Sequence, residues 1–472
     1  MKIEQIYTGC LAEAAYYLES DGEVAIIDPL REPEPYLERA QRDKATIKYV
    51  FETHFHADFV SGHLELARKT NATIVFGATA QPAYPAHIAS DGEVFKLGRC
   101  KIKALHTPGH TLESTTYLLI DEHGKDLAIF TGDTLFVGDV GRPDLVQKVK
   151  AEITPTYLAG LLYDSLRNKI MTLADDVVVY PGHGAGSACG KKMDKETVST
   201  VGKQKQFNYA LRAGLSRDQF IKEVLDGLSE PPQYFPGNVL LNVKGYAPVD
   251  DVRAKGATAL QVPEFLATWE TTHALVIDTR PKEKFVQGFI PGSIFIGIDD
   301  SFAPWVGTLV PDLKQPILIV ADEGREDEVV TRLARVGYDH ALGYLKGGLV
   351  AWRAAGQAVE TIDELSADAL TQMFSHIEPG ALIDARRSSE YQTEHIVGAV
   401  SFPLDFINRN MATLDPAKTY YIHCAGGYRS VIMASLLKSR GFAHVVNIPG
   451  GYKALGATTL PRTDRVEVNT AL

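Results

Sequence analysis

Short apolar runs bounded by polar or turn-forming residues alternate along this chain with stretches of helical periodicity. Val24-Ala25-Ile26-Ile27-Asp28 and Ile47-Lys48-Tyr49-Val50-Phe51 predict buried strands that end in loops, and Ala128-Ile129-Phe130-Thr131 a further one. Leu64-Glu65-Leu66-Ala67-Arg68-Lys69 has the period of a helix, as does the segment from Lys195 to Leu228. Pro231-Pro232-Gln233-Tyr234-Phe235-Pro236-Gly237 then predicts a break. The class is α/β.

Beyond about residue 245 the pattern repeats itself. Leu275-Val276-Ile277-Asp278-Thr279-Arg280 is echoed by Leu382-Ile383-Asp384-Ala385-Arg386, and Leu345-Lys346-Gly347-Gly348 with Trp352 by Ile448-Pro449-Gly450-Gly451 with Tyr452. A period of roughly a hundred residues is too long for a solenoid and implies a duplicated domain. Strands alternating with helices in each copy predict a parallel sheet covered by helices. The expected division is residues 1–244, 245–361 and 362–472, in keeping with 472 residues at ~100–200 per domain.

Charge and cysteine content narrow the field. A formal net charge of −11 argues against a nucleic-acid partner, which needs a positive field facing phosphates. No apolar run reaches the ~18 residues of a membrane span, and Met1 to Ile6 lacks a secretory apolar core. Cys10, Cys100, Cys189 and Cys424 are widely spaced without a C-x-x-C pair, which fits reduced thiols in a cytoplasmic protein. Cys10 and Cys100 read as packing residues in strand-like contexts.

Four motifs after strand-like runs carry metal-ligand chemistry. They are Thr53-His54-Phe55-His56-Ala57-Asp58-Phe59, Thr107-Pro108-Gly109-His110, Thr131-Gly132-Asp133 and Tyr180-Pro181-Gly182-His183. A single-metal reading takes His54, His110 and Asp133 as direct ligands, with His56, Asp58 and His183 orienting them or lining the pocket. Two imidazoles and one carboxylate with open positions form the ligand set of non-haem Fe(II) oxygenases, so one Fe(II) per chain is expected. The first motif resembles the H-x-H-x-D-H signature of metallo-β-lactamase-fold hydrolases, which implies that Phe59 stands where a two-metal site needs another imidazole; the alternative is that it merely packs while Asp58 and another group hold a second ion. Arg142 follows the Asp133 loop and either binds a substrate carboxylate or pairs with Asp144. Cys189, shortly after His183, lies near the metal if its loop turns back, and is otherwise a small buried residue.

The last copy holds a second chemistry. Tyr420-Tyr421-Ile422-His423 predicts a strand entering Cys424-Ala425-Gly426-Gly427-Tyr428-Arg429-Ser430, and an apolar helical run follows. A cysteine between strand and helix meets converging backbone N–H groups and the positive helix end, which favours the thiolate and holds an anion over it. Gly426 and Gly427 let the loop close around substrate, and Arg429 adds charge. Four residues separate Cys424 from Arg429, one fewer than in the C-x5-R phosphatase loop, which suits sulfur carried on cysteine better than phosphoryl. In the first copy Asp322 stands near the cysteine position, so that copy is expected to be inactive.

These motifs carry a resemblance over nearly the whole chain. The first ~240 residues resemble the persulfide dioxygenases of the metallo-β-lactamase superfamily, relatives of glyoxalase II, and the remainder resembles two rhodanese domains, the first without its cysteine. The arrangement is similar to the multidomain persulfide dioxygenase–sulfurtransferases of bacterial sulfide detoxification. The resemblance implies an αββα sandwich followed by two rhodanese-like α/β domains, with iron on His54, His110 and Asp133. It makes Cys189 a pocket thiol and Cys424 the sulfur carrier. Implied partners are low-molecular-weight thiol persulfides, O2 and sulfite or thiosulfate, in a homo-oligomer (dimer or tetramer). Two rivals remain at this level: a zinc-dependent glyoxalase II-like thioester hydrolase fused to a sulfurtransferase, and a sulfur-responsive scaffold.

Overall fold

In the computed structural model, residues 1–145 and 153–465 are described, and they form two compact units. The first comprises Met1–Val249 with Ala334–Gly337; the second gathers Asp250–Leu333 and, among the described residues, Tyr338 to Arg465.

The first unit is built on two six-stranded sheets. One runs in chain order through Lys2–Thr8, Glu13–Ser20, Glu23–Ile27, Thr46–Phe51, Thr73–Phe76 and His87–Ile88, antiparallel at first and parallel from Glu23–Ile27 onward. The other is ordered Ser199–Thr200, Val178–Pro181, Asp126–Gly132, Thr115–Ile120, Cys100–His106 and Val94–Leu97. Their inner faces supply one shared core, with Tyr16, Phe51, Phe95, Tyr117 and Phe130 interleaved as edge-on or tilted rings. The outer face of the first sheet buries Tyr36, Ala40 and Leu66 from helices Glu34–Asp43 and His63–Thr70. The outer face of the second packs Leu162 and Phe220 from helices Pro155–Ser165 and Arg217–Leu225. The result is an αββα sandwich, in which central strands such as Glu23–Ile27 and Thr115–Ile120 are buried almost throughout because both faces are covered, whereas the edge strand Val94–Leu97 alternates buried and exposed positions.

The single helical segment expected from Lys195 to Leu228 is instead divided. A short strand, Ser199–Thr200, pairs with Val178–Pro181 before helix Val201–Phe207, and helix Arg217–Leu225 starts afresh at a Ser216 cap. Periodicity does not register a two-residue edge strand. The break expected at Pro231–Gly237 ends sooner, since helix Phe235–Lys244 begins inside it and carries Pro236 in its first turn, where a missing N–H costs nothing. Cys100 is buried in a strand as expected, whereas Cys10 sits in the turn between the first two strands.

The second unit contains two five-stranded parallel sheets of identical strand order. The first runs Ala259–Leu260, Ala341–Leu345, Ile317–Val320, Leu275–Asp278, Ile294–Phe295; the second runs Asp363–Glu364, Val445–Asn447, Tyr420–His423, Leu382–Asp384, Val400–Ser401. The duplication extends to side chains. Arg280 Nε and a terminal guanidinium nitrogen bind Asp278 at 2.9 and 2.6 Å, and Arg386 binds Asp384 at the same two distances. Among the described residues no helix is long and apolar enough to cross a membrane.

Candidate functional site

Three loops at strand ends in the first unit bring His54, His110 and Asp133 together, all buried, with candidate ligand atoms within 4.8 Å of one another. His54 Nε2 lies 3.9 Å and His110 Nε2 3.4 Å from Asp133 Oδ2. Hydrogen bonds on the far side of each ring fix which nitrogen is bare. Thr53 Oγ1 donates its one proton to Asp28 Oδ2 at 2.8 Å, so at 2.9 Å it accepts from His54 Nδ1. His110 Nδ1 donates to the Arg142 carbonyl at 2.9 Å, and His183 Nδ1 to the Ala12 carbonyl at 3.2 Å, because a carbonyl only accepts. Each Nε2 is left as a lone pair. Burial, reinforced by His56, His110 and His183, holds His54 well below the usual imidazole pKa and therefore neutral. Both oxygens of buried Asp133 lack a hydrogen-bond partner, which is costly unless a cation compensates. The donor set fits a divalent metal.

Glycine at 141 is required by proximity. A Cβ there would fall 2.0 Å from the Asp133 carbonyl and 2.9 Å from His110 Nδ1.

A second cluster lies on the other oxygen of Asp133. His183 Nε2 is 3.6 Å from Asp133 Oδ1 and 3.3 Å from Asp58 Oδ2, and Cys189 completes a group of three with Asp58 and His183. The loop after His183 thus turns back and buries the thiol in the pocket. Burial, with Asp58 and Asp133 adding, pushes the Cys189 thiol well above its ordinary range, so it is a neutral S–H.

His56 turns away from this pair of clusters. Its Nε2 lies 3.1 Å from Asp28 Oδ1 and 3.6 Å from Glu52 Oε2, and its ring stacks on buried Phe59 at 4.3 Å. Burial lowers its pKa, but Asp28, Glu52 and Asp58 outweigh that and raise it to about 9. Asp28 and Glu52 organise this side of the site and were not singled out from sequence. Asp28 ends a predicted strand and Glu52 directly precedes the first motif, and the signal was an acid at the end of an apolar run.

Of the two expectations for Arg142, the ion pair with Asp144 is the one formed. Its guanidinium binds Asp144 at 2.6 and 2.8 Å and also donates to the Ala188 and Ser229 carbonyls. Its role toward the metal set is through its own carbonyl, on His110.

In the second unit, Cys424 follows strand Tyr420–His423 and precedes helix Tyr428–Ser439. The Gly427 amide donates to its sulfur at 3.1 Å, and the Cys424 thiol contacts Ser430 Oγ at 3.7 Å, which in turn donates to Asn447 Oδ1. Gly427 has φ +98°, a conformation glycine adopts without strain, and open space surrounds the Cβ position of Gly426. Arg429 is also committed to a partner. Its two terminal nitrogens bind Glu390 at 2.6 and 2.9 Å, so that carboxylate offsets part of the charge it brings toward Cys424. In the first copy Asp322 pairs with Lys284 instead.

Comparison with known proteins agrees with this anatomy. Residues 8–183 match the metallo-beta-lactamase superfamily, and residues 261–355 and 366–458 each match the rhodanese-like domain. The crystal structure of a metallo-beta-lactamase from Staphylococcus aureus is 31% identical and superposes with a TM-score of 0.64, covering 73% of this chain and 98% of that one. The chain belongs to the metallo-β-lactamase superfamily and carries two rhodanese-like domains. Within that superfamily it is 35% identical to a cytoplasmic hydroxyacylglutathione hydrolase of Arabidopsis thaliana, over 39% of this chain and 67% of that protein. It is 31% identical to a mitochondrial persulfide dioxygenase of Bos taurus, over 47% and 79%.

Proposed function

We propose that the chain is an Fe(II) persulfide dioxygenase coupled to a Cys424 sulfurtransferase, acting on low-molecular-weight thiol persulfides. The observation that carries the reading is the donor set: two bare imidazole Nε2 atoms and one carboxylate oxygen converge, while His56 is engaged by Asp28 and position 59 is phenylalanine. The persulfide dioxygenase relatives and the rhodanese-like domains support it.

His54, His110 and Asp133 would hold Fe(II), which would supply activation of O2 toward the persulfide sulfur. The residues around it do the rest. Thr53 and the Arg142 carbonyl hold the two rings with Nε2 forward. The bare His183 Nε2, beside Asp58, accepts the persulfide proton, and neutral Cys189 lines the pocket without adding charge. Overall, R–S–SH, O2 and water give R–SH, sulfite and two protons. At the second centre the Cys424 thiolate attacks the sulfane sulfur of thiosulfate. That S–S bond breaks, sulfite leaves with the electron pair, and the Cys424 persulfide remains; attack by sulfite reverses the step. The Gly427 amide and the helix N-terminus stabilise the anionic sulfur.

One observation favours a second reading. Asp58, His183 and Cys189 form a further donor set on Asp133 Oδ1, and hydroxyacylglutathione hydrolases are among the relatives, so a two-zinc hydrolase is the alternative. Metal content and O2 uptake separate them. About one iron per chain, with O2 consumed on adding glutathione persulfide, is expected; two zinc ions and no uptake would overturn the proposal.

A further inference from the structure

Sulfur transfer with thiosulfate brings a dianion to Cys424, and the one cation of the loop is shared with a carboxylate. Arg429 is held bidentately by Glu390, and the residues from Cys424 to Tyr428 include no other cation. Arg386 is committed to Asp384 and stacks 3.8 Å from the Tyr452 ring. The cysteine-less copy supplies what is missing. Its short helix Lys282–Val286 packs against helix Tyr428–Ser439. Lys282, at the start of that helix, reaches Gly427, whose amide holds the Cys424 sulfur: a Cβ built at Gly427 lies 3.9 Å from Lys282 Cε.

The placement is anchored by further contacts between the copies. Tyr428 Oη donates to the Gly297 carbonyl at 3.0 Å, the Phe295 and Tyr428 rings meet at 5.6 Å, and the Phe295 amide donates to Ser435 Oγ at 2.9 Å. The Lys282 ammonium pairs with Glu283 at 3.0 Å, and Asp300 also feels its charge. With Lys282 37% and Glu283 67% exposed, that pair is weak and can yield to a better-placed anion.

We propose that Lys282 of the cysteine-less domain completes the anion site at Cys424, binding the –SO3 end of thiosulfate or of attacking sulfite. This rests on the sulfurtransferase reading and gives the first copy a part in substrate binding.

The test is steady-state thiosulfate:cyanide sulfurtransfer by the full-length protein. Lys282→Ala should raise KM for thiosulfate about tenfold, as loss of one charge-assisted contact does, with kcat within about twofold of wild type. Lys282→Arg should restore KM, which a purely structural role would not predict for a partly exposed side chain. An unchanged KM in Lys282→Ala, or an equal loss in both variants, would overturn the proposal while leaving Cys424-dependent turnover intact. Turnover that survives Cys424→Ser would instead overturn the sulfurtransferase reading. Protection of Cys424 from iodoacetamide by thiosulfate reads the same site without turnover. Weaker protection in Lys282→Ala supports the proposal, and equal or absent protection in both proteins sinks it.

Discussion

Thr53 shows how much a single hydroxyl decides at this centre. It has one proton, Asp28 takes it, and His54 is thereby left with its proton on Nδ1 and a lone pair on Nε2. Thr53→Val keeps the shape and removes the acceptor, leaving the ring tautomer unfixed. Loss of such an outer partner weakens metal binding by about 10–100-fold. Titration of apo-protein with Fe(II) should show that loss in Thr53→Val and near-wild-type affinity in Thr53→Ser; equal affinity in all three would refute the relay. The direct ligand candidates were legible because their motifs are local. Asp28 was not, since its meaning depends on Thr53, 25 positions away in the loop that follows a parallel neighbouring strand.

At the scale of elements, the strand–loop–helix around Cys424 was legible from a run of apolar residues, glycines and an arginine. The pairing of Arg429 was not, because Glu390 lies 39 positions earlier, on helix Ser388–Thr393. Burial raises the Glu390 carboxyl, yet Arg429 and the Arg387 amide more than offset it, and the pKa lies below the usual carboxylate value. A depressed folded pKa contributes stability that is fully present above the unfolded value of about 4.3 and is lost as pH falls through the folded one. Thermal unfolding followed from pH 6 downward should therefore show a weaker acid dependence in Glu390→Gln than in wild type, with the two curves converging at the acid end. Parallel curves would mean that the pair does not stabilise the fold. The divided helical segment after Lys195 teaches the same lesson: Ser199–Thr200 is a strand only because Val178–Pro181 is there to pair with it.

At the scale of the whole molecule, the duplication was visible in sequence as two D-x-R strand ends, and the structure repeats it as two sheets of one strand order with the same arginine–aspartate geometry. The two chemistries, already distinct in sequence, lie in different units: His54, His110 and Asp133 in the first, Cys424 in the second. That separation yields a kinetic prediction. On the proposed function, O2 uptake with glutathione persulfide as substrate rests on His54, His110 and Asp133, so Cys424→Ser should leave its rate within about twofold. With thiosulfate and glutathione instead, sulfane sulfur must first pass to Cys424, and glutathione must then attack the outer sulfur of that persulfide to release glutathione persulfide and the thiolate. O2 uptake under those conditions should fall by at least about a hundredfold in Cys424→Ser, the range expected when a nucleophile is removed. An oxygen electrode and two substrate mixtures suffice. A Cys424→Ser protein that fails equally with both substrates would show that Cys424 serves the oxygenation itself, and one that fails with neither would show that sulfur from thiosulfate reaches the His54–His110–Asp133 site by another route.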